Sequence, residues 1–193
     1  MRPQAPRGFT LIELMVTLAI VVVLALVAVP SLVTFKRNAE LTSATNTLLA
    51  AINAARGEAM KRGMYAMVVP ADGANWNNGV IVFVDKDQSR TYNAATDVTV
   101  LVQPALPSYL ALSGSGTVTS AEASPYLMYD PSGFIKSYTA GAANQTFTLT
   151  RTDLAGSDLY AQTRRIIIAR TGRTRTCRPS SAADPTCAIN SPD

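Results

Sequence analysis

Residues 9–33 read FTLIELMVTLAIVVVLALVAVPSLV, 25 residues whose single charge is Glu13. A helix of that length extends about 37 Å at ~1.5 Å per residue, against roughly 30 Å for the hydrocarbon core of a bilayer. The eight residues before it, MRPQAPRG, carry Arg2 and Arg7 and no acid. A secretory signal peptide has an apolar core of about 7–15 residues and then a small-x-small cleavage site. Here residues 14–29 form a run of 16 in which only Thr17 is polar, and no A-x-A triplet follows. A plain membrane anchor accounts for the length but leaves Glu13 without a purpose. A carboxylate inside a membrane helix costs a few kcal/mol and so marks a functional position.

Composition narrows the function classes. Of 193 residues, 48% are hydrophobic and 16% charged, with 17 Lys+Arg against 13 Asp+Glu for a net +4. That balance excludes a disordered chain. Histidine is absent, which removes the commonest general base, the commonest zinc ligand and every Ser-His or Cys-His pair. Two cysteines cannot build a four-ligand zinc site. The expectation is a protein that is not an enzyme, with no cofactor, no metal and no small-molecule substrate.

Beyond the apolar run, Lys36 and Arg37 flank the span, and Leu41, Leu48, Ile52, Ala55 and Ala59 recur at helical spacing while Glu40, Asn46, Asn53 and Arg56 take other faces. Gly63 is the expected stop. The predicted helix, residues 9–62, would be roughly 80 Å long, its second half lying on a globular domain. After Gly63 the texture changes to short apolar runs separated by Gly, Pro, Asn and Asp. This predicts strands over 64–69, 79–85, 98–103, 126–129, 133–138, 146–151, 165–171 and 173–178, with turns at Asp72-Gly73, Asn78-Gly79 and Pro131-Ser132-Gly133. The fold class is therefore α+β: a long N-terminal helix packed on a β-rich head over 63–193. Asp85-Lys86-Asp87-Gln88-Ser89 fails as an EF-hand loop, because positions six and twelve hold Arg90 and Thr96 instead of glycine and glutamate; it reads as a turn between strands. Trp76 reads as a packing or rim residue.

The run Gly8-Phe9-Thr10-Leu11-Ile12-Glu13-Leu14 resembles the prepilin-peptidase signature of type IV pilins and type II secretion pseudopilins. The resemblance implies that residues 1–8 are a leader, cut between Gly8 and Phe9, and that Phe9 is then N-methylated. It also implies that residues 9–33 span the bacterial inner membrane in a single pass until the chain joins a periplasmic or cell-surface fibre. Glu13 would then be an assembly residue, meeting a neighbouring subunit's terminal amine, and Pro30 would stand where the family commonly has a helix-kinking proline. A buried carboxylate deprived of its partner costs roughly 3–5 kcal/mol, which makes such a pair a register device. The implied partners are major and minor pilin subunits, the prepilin peptidase and the inner membrane. Three head blocks, NWNNGVIVFVDKDQSRTYNAATDVTVLVQPAL, YLMYDPSGFI and RRIIIARTGRTRTC, resemble the head of the GspH/FimT family of minor pilins and pseudopilins.

Charge is concentrated near the C-terminus. Arg164, Arg165, Arg170, Arg173, Arg175 and Arg178 fall between residues 159 and 183 with no lysine and no acid, so the rest of the chain carries a net −2. Such a cluster attracts polyanions through phosphate neutralisation and counterion release. It also suits a solvated strand edge that discourages edge-to-edge pairing. Alternation along a strand puts Arg173 and Arg175 on one face, and a hairpin through Gly172 would bring Arg170 to them. Gly172-Arg173-Thr174-Arg175 resembles the GRxR element of FimT-like minor pilins, which bind DNA during natural transformation; related heads often keep the Gly-Arg without the second arginine. The expected DNA-binding set is thus Arg173 and Arg175, helped by Arg170 and Arg178, with Gly172 shaping the turn. The alternative is a structural minor pilin or secretion pseudopilin that primes filament assembly without binding DNA. Cys177 and Cys187, an even count in an extracytoplasmic segment, are expected to form a disulfide.

Overall fold

In the computed structural model, which describes residues 8–118, 124–138 and 143–188, one helix, α1 (Leu11–Arg62), carries both the apolar run and the amphipathic stripe. The leader's Arg2 and Arg7 lie outside the described residues. The chain divides into two units, residues 1–40 and 41–193. In the first, large side chains stay exposed along the helix, Leu11, Leu14, Leu18, Leu24 and Phe35 among them. This stretch is long and apolar enough to cross a membrane. Pro30 stands inside the helix, where it withholds one backbone donor. Lys36 and Glu40 pair across one turn at 3.8 Å, an exposed contact of little energetic weight.

In the second unit, every residue of the expected stripe is buried: Leu41, Leu48, Ile52, Ala55 and Ala59, joined by Ala51. Alanines at three of these positions let the helix backbone come close to the sheets, while fully burying each Leu or Ile contributes roughly 1.5–3 kcal/mol. Gly63 follows the last turn, and the Met64 N–H returns to the Ala59 carbonyl at 3.2 Å, closing the helix C-terminus.

Among the described residues the head has nine strands: β1 (Ala66–Pro70), β2 (Val80–Val84), β3 (Val98–Gln103), β4 (Leu110–Ser115), β5 (Leu127–Tyr129), β6 (Ile135–Lys136), β7 (Gln145–Arg151), β8 (Arg164–Ile168) and β9 (Thr174–Cys177). A six-residue helix, α2 (Gly156–Ala161), joins β7 to β8. All pairings are antiparallel, in two sheets ordered β3-β2-β1-β5-β6 and β4-β7-β8-β9. Both sheets give one face to a single core with α1: Val68, Val82 and Leu127 from the first, Leu112, Phe147, Leu149, Ile166 and Ile168 from the second. Trp76 is a packing residue within it, its ring edge-on to Phe147 at 4.9 Å and its indole N–H donating to the Val118 carbonyl at 2.7 Å. A smaller cluster of Met67, Phe83 and Met128 lies on the other face of the first sheet, covered in part by Tyr92, Tyr126 and Tyr138.

The eight predicted strands all appear: β3 has the predicted limits, β7 begins one residue earlier, and the others are shifted or trimmed by one to three residues at their ends. Strand β4 and helix α2 are additional to the predicted elements. Strand β4 reads LALSGS, and its serines and glycine look like turn composition. Gly114 is there for space: a Cβ would stand 2.0 Å from the Val118 carbonyl oxygen. Helix α2 is too short to display a period.

Candidate functional site

Strands β8 and β9 form the predicted hairpin at the end of the second sheet, with Ile168 opposite Thr174, Ile167 opposite Arg175 and Arg165 opposite Cys177. Ile166 and Ile168 belong to the core, and Thr174, across from Ile168, donates to Asn53 Oδ1 of α1 at 3.2 Å. Arg175 and Arg165 therefore occupy the face turned away from the helix.

The turn at the hairpin tip is held by packing. The Gly172 N–H donates to Ala169 O at 2.8 Å and the Ala169 N–H to Arg173 O at 2.9 Å. Gly172 has φ +79°, and a Cβ there would lie 2.0 Å from the Gly133 carbonyl oxygen. Both conformation and space thus demand glycine. Arg56 of α1 locks this approach, its Nε donating to Gly133 O at 3.1 Å and an Nη to Thr171 O at 3.0 Å. Gly172 is a packing position that aims the arginines on either side of it.

The six arginines have three different fates. Arg170 and Arg173 are exposed at the tip. Arg175 is half-buried, giving one guanidinium N–H to the Thr186 carbonyl at 3.1 Å. At the far end of the hairpin, exposed Arg178 lies near Arg164, whose guanidinium bonds the Ala161 and Thr163 carbonyls. Burial first, and then the Arg178 charge, shift Arg164 below the ordinary arginine range. Arg165 is buried beneath the C-terminal tail and donates to the Cys187 carbonyl, which removes it from any surface role. Among the described residues, none of the six forms an ion pair. Arg173 and Arg178 flank β9, and a fully extended path between them covers about 17 Å at ~3.4 Å per residue.

Cys177 and Cys187 are bonded, as expected. The bond holds a short 3-10 turn (Pro185–Cys187) beside β9. Asp184 caps that turn, accepting from the Thr186 hydroxyl at 2.7 Å and amide at 2.9 Å, and from the Ser180 amide at 2.8 Å and hydroxyl at 2.9 Å. These four donors hold its carboxyl well below the usual carboxylate range, the Thr186 hydroxyl most strongly.

Gly8 and Phe9 are both exposed ahead of α1. Glu13 has a role that the sequence reading passed over. Its Oε2 accepts from the Thr10 N–H and hydroxyl, each at 2.9 Å, and its own N–H returns to the Thr10 hydroxyl at 3.3 Å. This is a reciprocal capping box, and the T-x-x-E spacing is its signal.

Residues 44–172 match the family described as Type II transport protein GspH, and residues 4–29 match the prokaryotic N-terminal methylation motif. A search of the curated proteins finds no match. Two crystal structures of the type IV minor pilin FimU from Pseudomonas aeruginosa are similar in fold. One, at 18% identity and a TM-score of 0.53, covers 72% of this chain and 93% of its own. The other, at 18% and 0.52, covers 76% and 93%. The family match ends at Gly172, so Arg173, Arg175, Arg178 and both cysteines lie beyond it. Matched over about two thirds of its length, and carrying the pilin methylation motif at its start, the chain belongs to the GspH family of minor pilins and pseudopilins.

Proposed function

We propose that this chain is a minor type IV pilin that binds DNA without sequence preference along the β8–β9 hairpin and promotes its uptake in natural transformation. The observation that carries the reading is a row of guanidinium groups, Arg170, Arg173, Arg175 and Arg178, on one edge hairpin with no carboxylate in ion-pair range among the described residues. Guanidinium is fixed in charge and matches phosphate with paired donors. Phosphates along one DNA strand repeat every 3.4 Å of helix axis, so a row about 17 Å long would meet several of them. Arg165, which is not in that set, is occupied with the tail.

The remainder of the role follows the motif. The leader is cut after Gly8, Phe9 is methylated, and residues 9–33 hold the chain in the inner membrane until it enters a fibre with other pilins. Glu13 caps its own helix as a monomer and meets a neighbour's terminal amine on assembly.

The experiment is a titration of duplex DNA at several salt concentrations against the wild type and the Arg173→Gln, Arg175→Gln pair. Loss of two phosphate contacts lowers the salt slope by roughly 1.8 and weakens binding of all sequences alike. An unchanged affinity and slope would refute the site. Transformation and surface piliation, scored in one strain carrying the pair, separate this reading from a priming subunit. DNA binding predicts fibres that persist while transformation fails, whereas priming predicts that the fibres themselves are lost.

A further inference from the structure

We propose that the loop between β2 and β3 is a calcium site, formed by the carboxylates of Asp85, Asp87 and Asp97. One oxygen from each of the three lies within 4.8 Å of the others. Asp85, at the end of β2, is 2% exposed; its Oδ2 accepts the Arg90 N–H at 3.1 Å, but its Oδ1 is buried without any hydrogen-bond partner. Among the described residues, no lysine or arginine is in ion-pair range of any of the three. The nearby Arg90 guanidinium instead lies over the Tyr138 ring, 4.2 Å from its centroid. Three neighbouring carboxylates, one of them desolvated with an orphaned oxygen, lack a positive charge at the point where their oxygens meet. Burial, with Asp97 and Asp87 alongside, pushes the Asp85 carboxyl above its ordinary range.

The surrounding loop already holds the ligands in place. The Asp85 N–H donates to the Tyr65 carbonyl at 2.9 Å. Asp97 accepts the Lys86 N–H on Oδ1 at 3.1 Å and the Asn93 N–H on Oδ2 at 2.9 Å, and Asp87 Oδ1 accepts the Ser89 N–H at 2.9 Å. Each carboxylate retains acceptor capacity beyond these bonds. The donor set is oxygen only, which suits a hard cation, and a loop of irregular backbone suits calcium better than the strict octahedron of magnesium. The loop is not an EF-hand: its third carboxylate stands thirteenth from Asp85, and Arg90 itself takes the left-handed turn, φ +67°, that an EF-hand gives to glycine. Tyr92, in the same loop, packs on Phe83 at 5.2 Å, so a bound cation would fasten the loop over the second apolar cluster.

The test uses the full chain in detergent micelles after EDTA treatment. Calcium chloride titrated calorimetrically should bind at one site with Kd of about 10⁻⁴–10⁻³ M, the range of extracellular modules. At 10 mM it should raise the thermal midpoint by about 5 °C, with little response to magnesium chloride. Asp87→Asn, at an exposed position, should abolish both signals while leaving the EDTA midpoint unchanged. Asp85→Asn should abolish the calcium response yet raise the EDTA midpoint, because it removes an uncompensated buried charge, whereas a purely structural aspartate would lower it. The proposal is overturned if calcium gives neither heat nor shift at 10 mM. It is equally overturned if magnesium, or sodium chloride of matched ionic strength, acts as well, or if the two variants bind calcium like the wild type.

Discussion

The head carries two clusters of like charge, and they differ in geometry more than in size. In the β2–β3 loop, Asp85, Asp87 and Asp97 bring oxygens within 4.8 Å of one another, and Asp85 also has a buried oxygen without a partner. On the β8–β9 hairpin, the arginines are strung along strands whose pleat sends neighbours to opposite faces, and the partners of those at hand are backbone carbonyls. A loop that folds back on itself concentrates charge at a point, suited to a small cation. A strand spaces charge along a line, suited to a polymer. The backbone, and not the residue count, decides which ligand each cluster can take.

That contrast breaks most severely at the hairpin's anchor. Gly172→Ala forces a left-handed residue and an overlap with the Gly133 carbonyl, together about 2–5 kcal/mol of stability. Chemical denaturation should report that loss. DNA affinity should fall with it because the row of arginines loses its alignment, although no charge has been removed. A stable Gly172→Ala head with wild-type affinity would mean that the tip does not organise the hairpin.

Cys177→Ser with Cys187→Ser comes next. The closed loop spans ten residues of separation, worth about 3 kcal/mol in the chain-entropy picture. The loss should be felt first in the tail, where Arg165 and Arg175 are both tied to it. Limited proteolysis should cut between residues 178 and 186 before it cuts the sheets. Simultaneous cleavage throughout the head would show that the tail and the sheets unfold as one.

Arg165 and Arg173 then separate packing from recognition within one cluster. Arg165→Gln strands the Cys187 carbonyl and costs about 1–2 kcal/mol, yet should leave the salt slope of DNA binding unchanged. Arg173→Gln should do the reverse, lowering the slope by roughly 0.9 at constant stability. If both act on the slope, the tail opens in the DNA-bound state.

Much of this architecture was legible in the residues because it rests on period. The Leu41, Leu48, Ile52, Ala55 and Ala59 stripe is buried throughout, and the apolar run with its methylation motif identifies the helix unaided. Gly172 shapes the turn as its place in the hairpin predicts, and is a close backbone approach as well. What sequence could not supply was partnership across distance. Nothing near Arg165 in the chain announces the Cys187 carbonyl twenty-two residues on, and nothing near Arg56 announces Gly133 and Thr171. Asp97 is likewise twelve positions beyond Asp85 and joins it only because β2 and β3 pair. The capping box of Thr10 and Glu13, by contrast, is local, and the T-x-x-E spacing alone carries it.

The smallest effect expected is at the acid that caps the tail's turn, Asp184. Asp184 has a carboxyl held below its unfolded value by four donors from Ser180 and Thr186. A depressed folded value means that its contribution is complete above the unfolded value of about 4 and declines as pH falls toward the folded one. From neutral pH down to about 4.5 the Ser180 and Thr186 amide resonances should stay fixed; on further acidification they should move before the β-sheet resonances do. Asp184→Asn should remove that acid step and leave the neutral-pH sheet spectrum unchanged. Because the tail holds Arg175 through the Thr186 carbonyl, the same acidification should free this guanidinium while Arg173 stays as it was. A step that persisted in Asp184→Asn would assign the acid sensitivity of the hairpin to some other carboxylate.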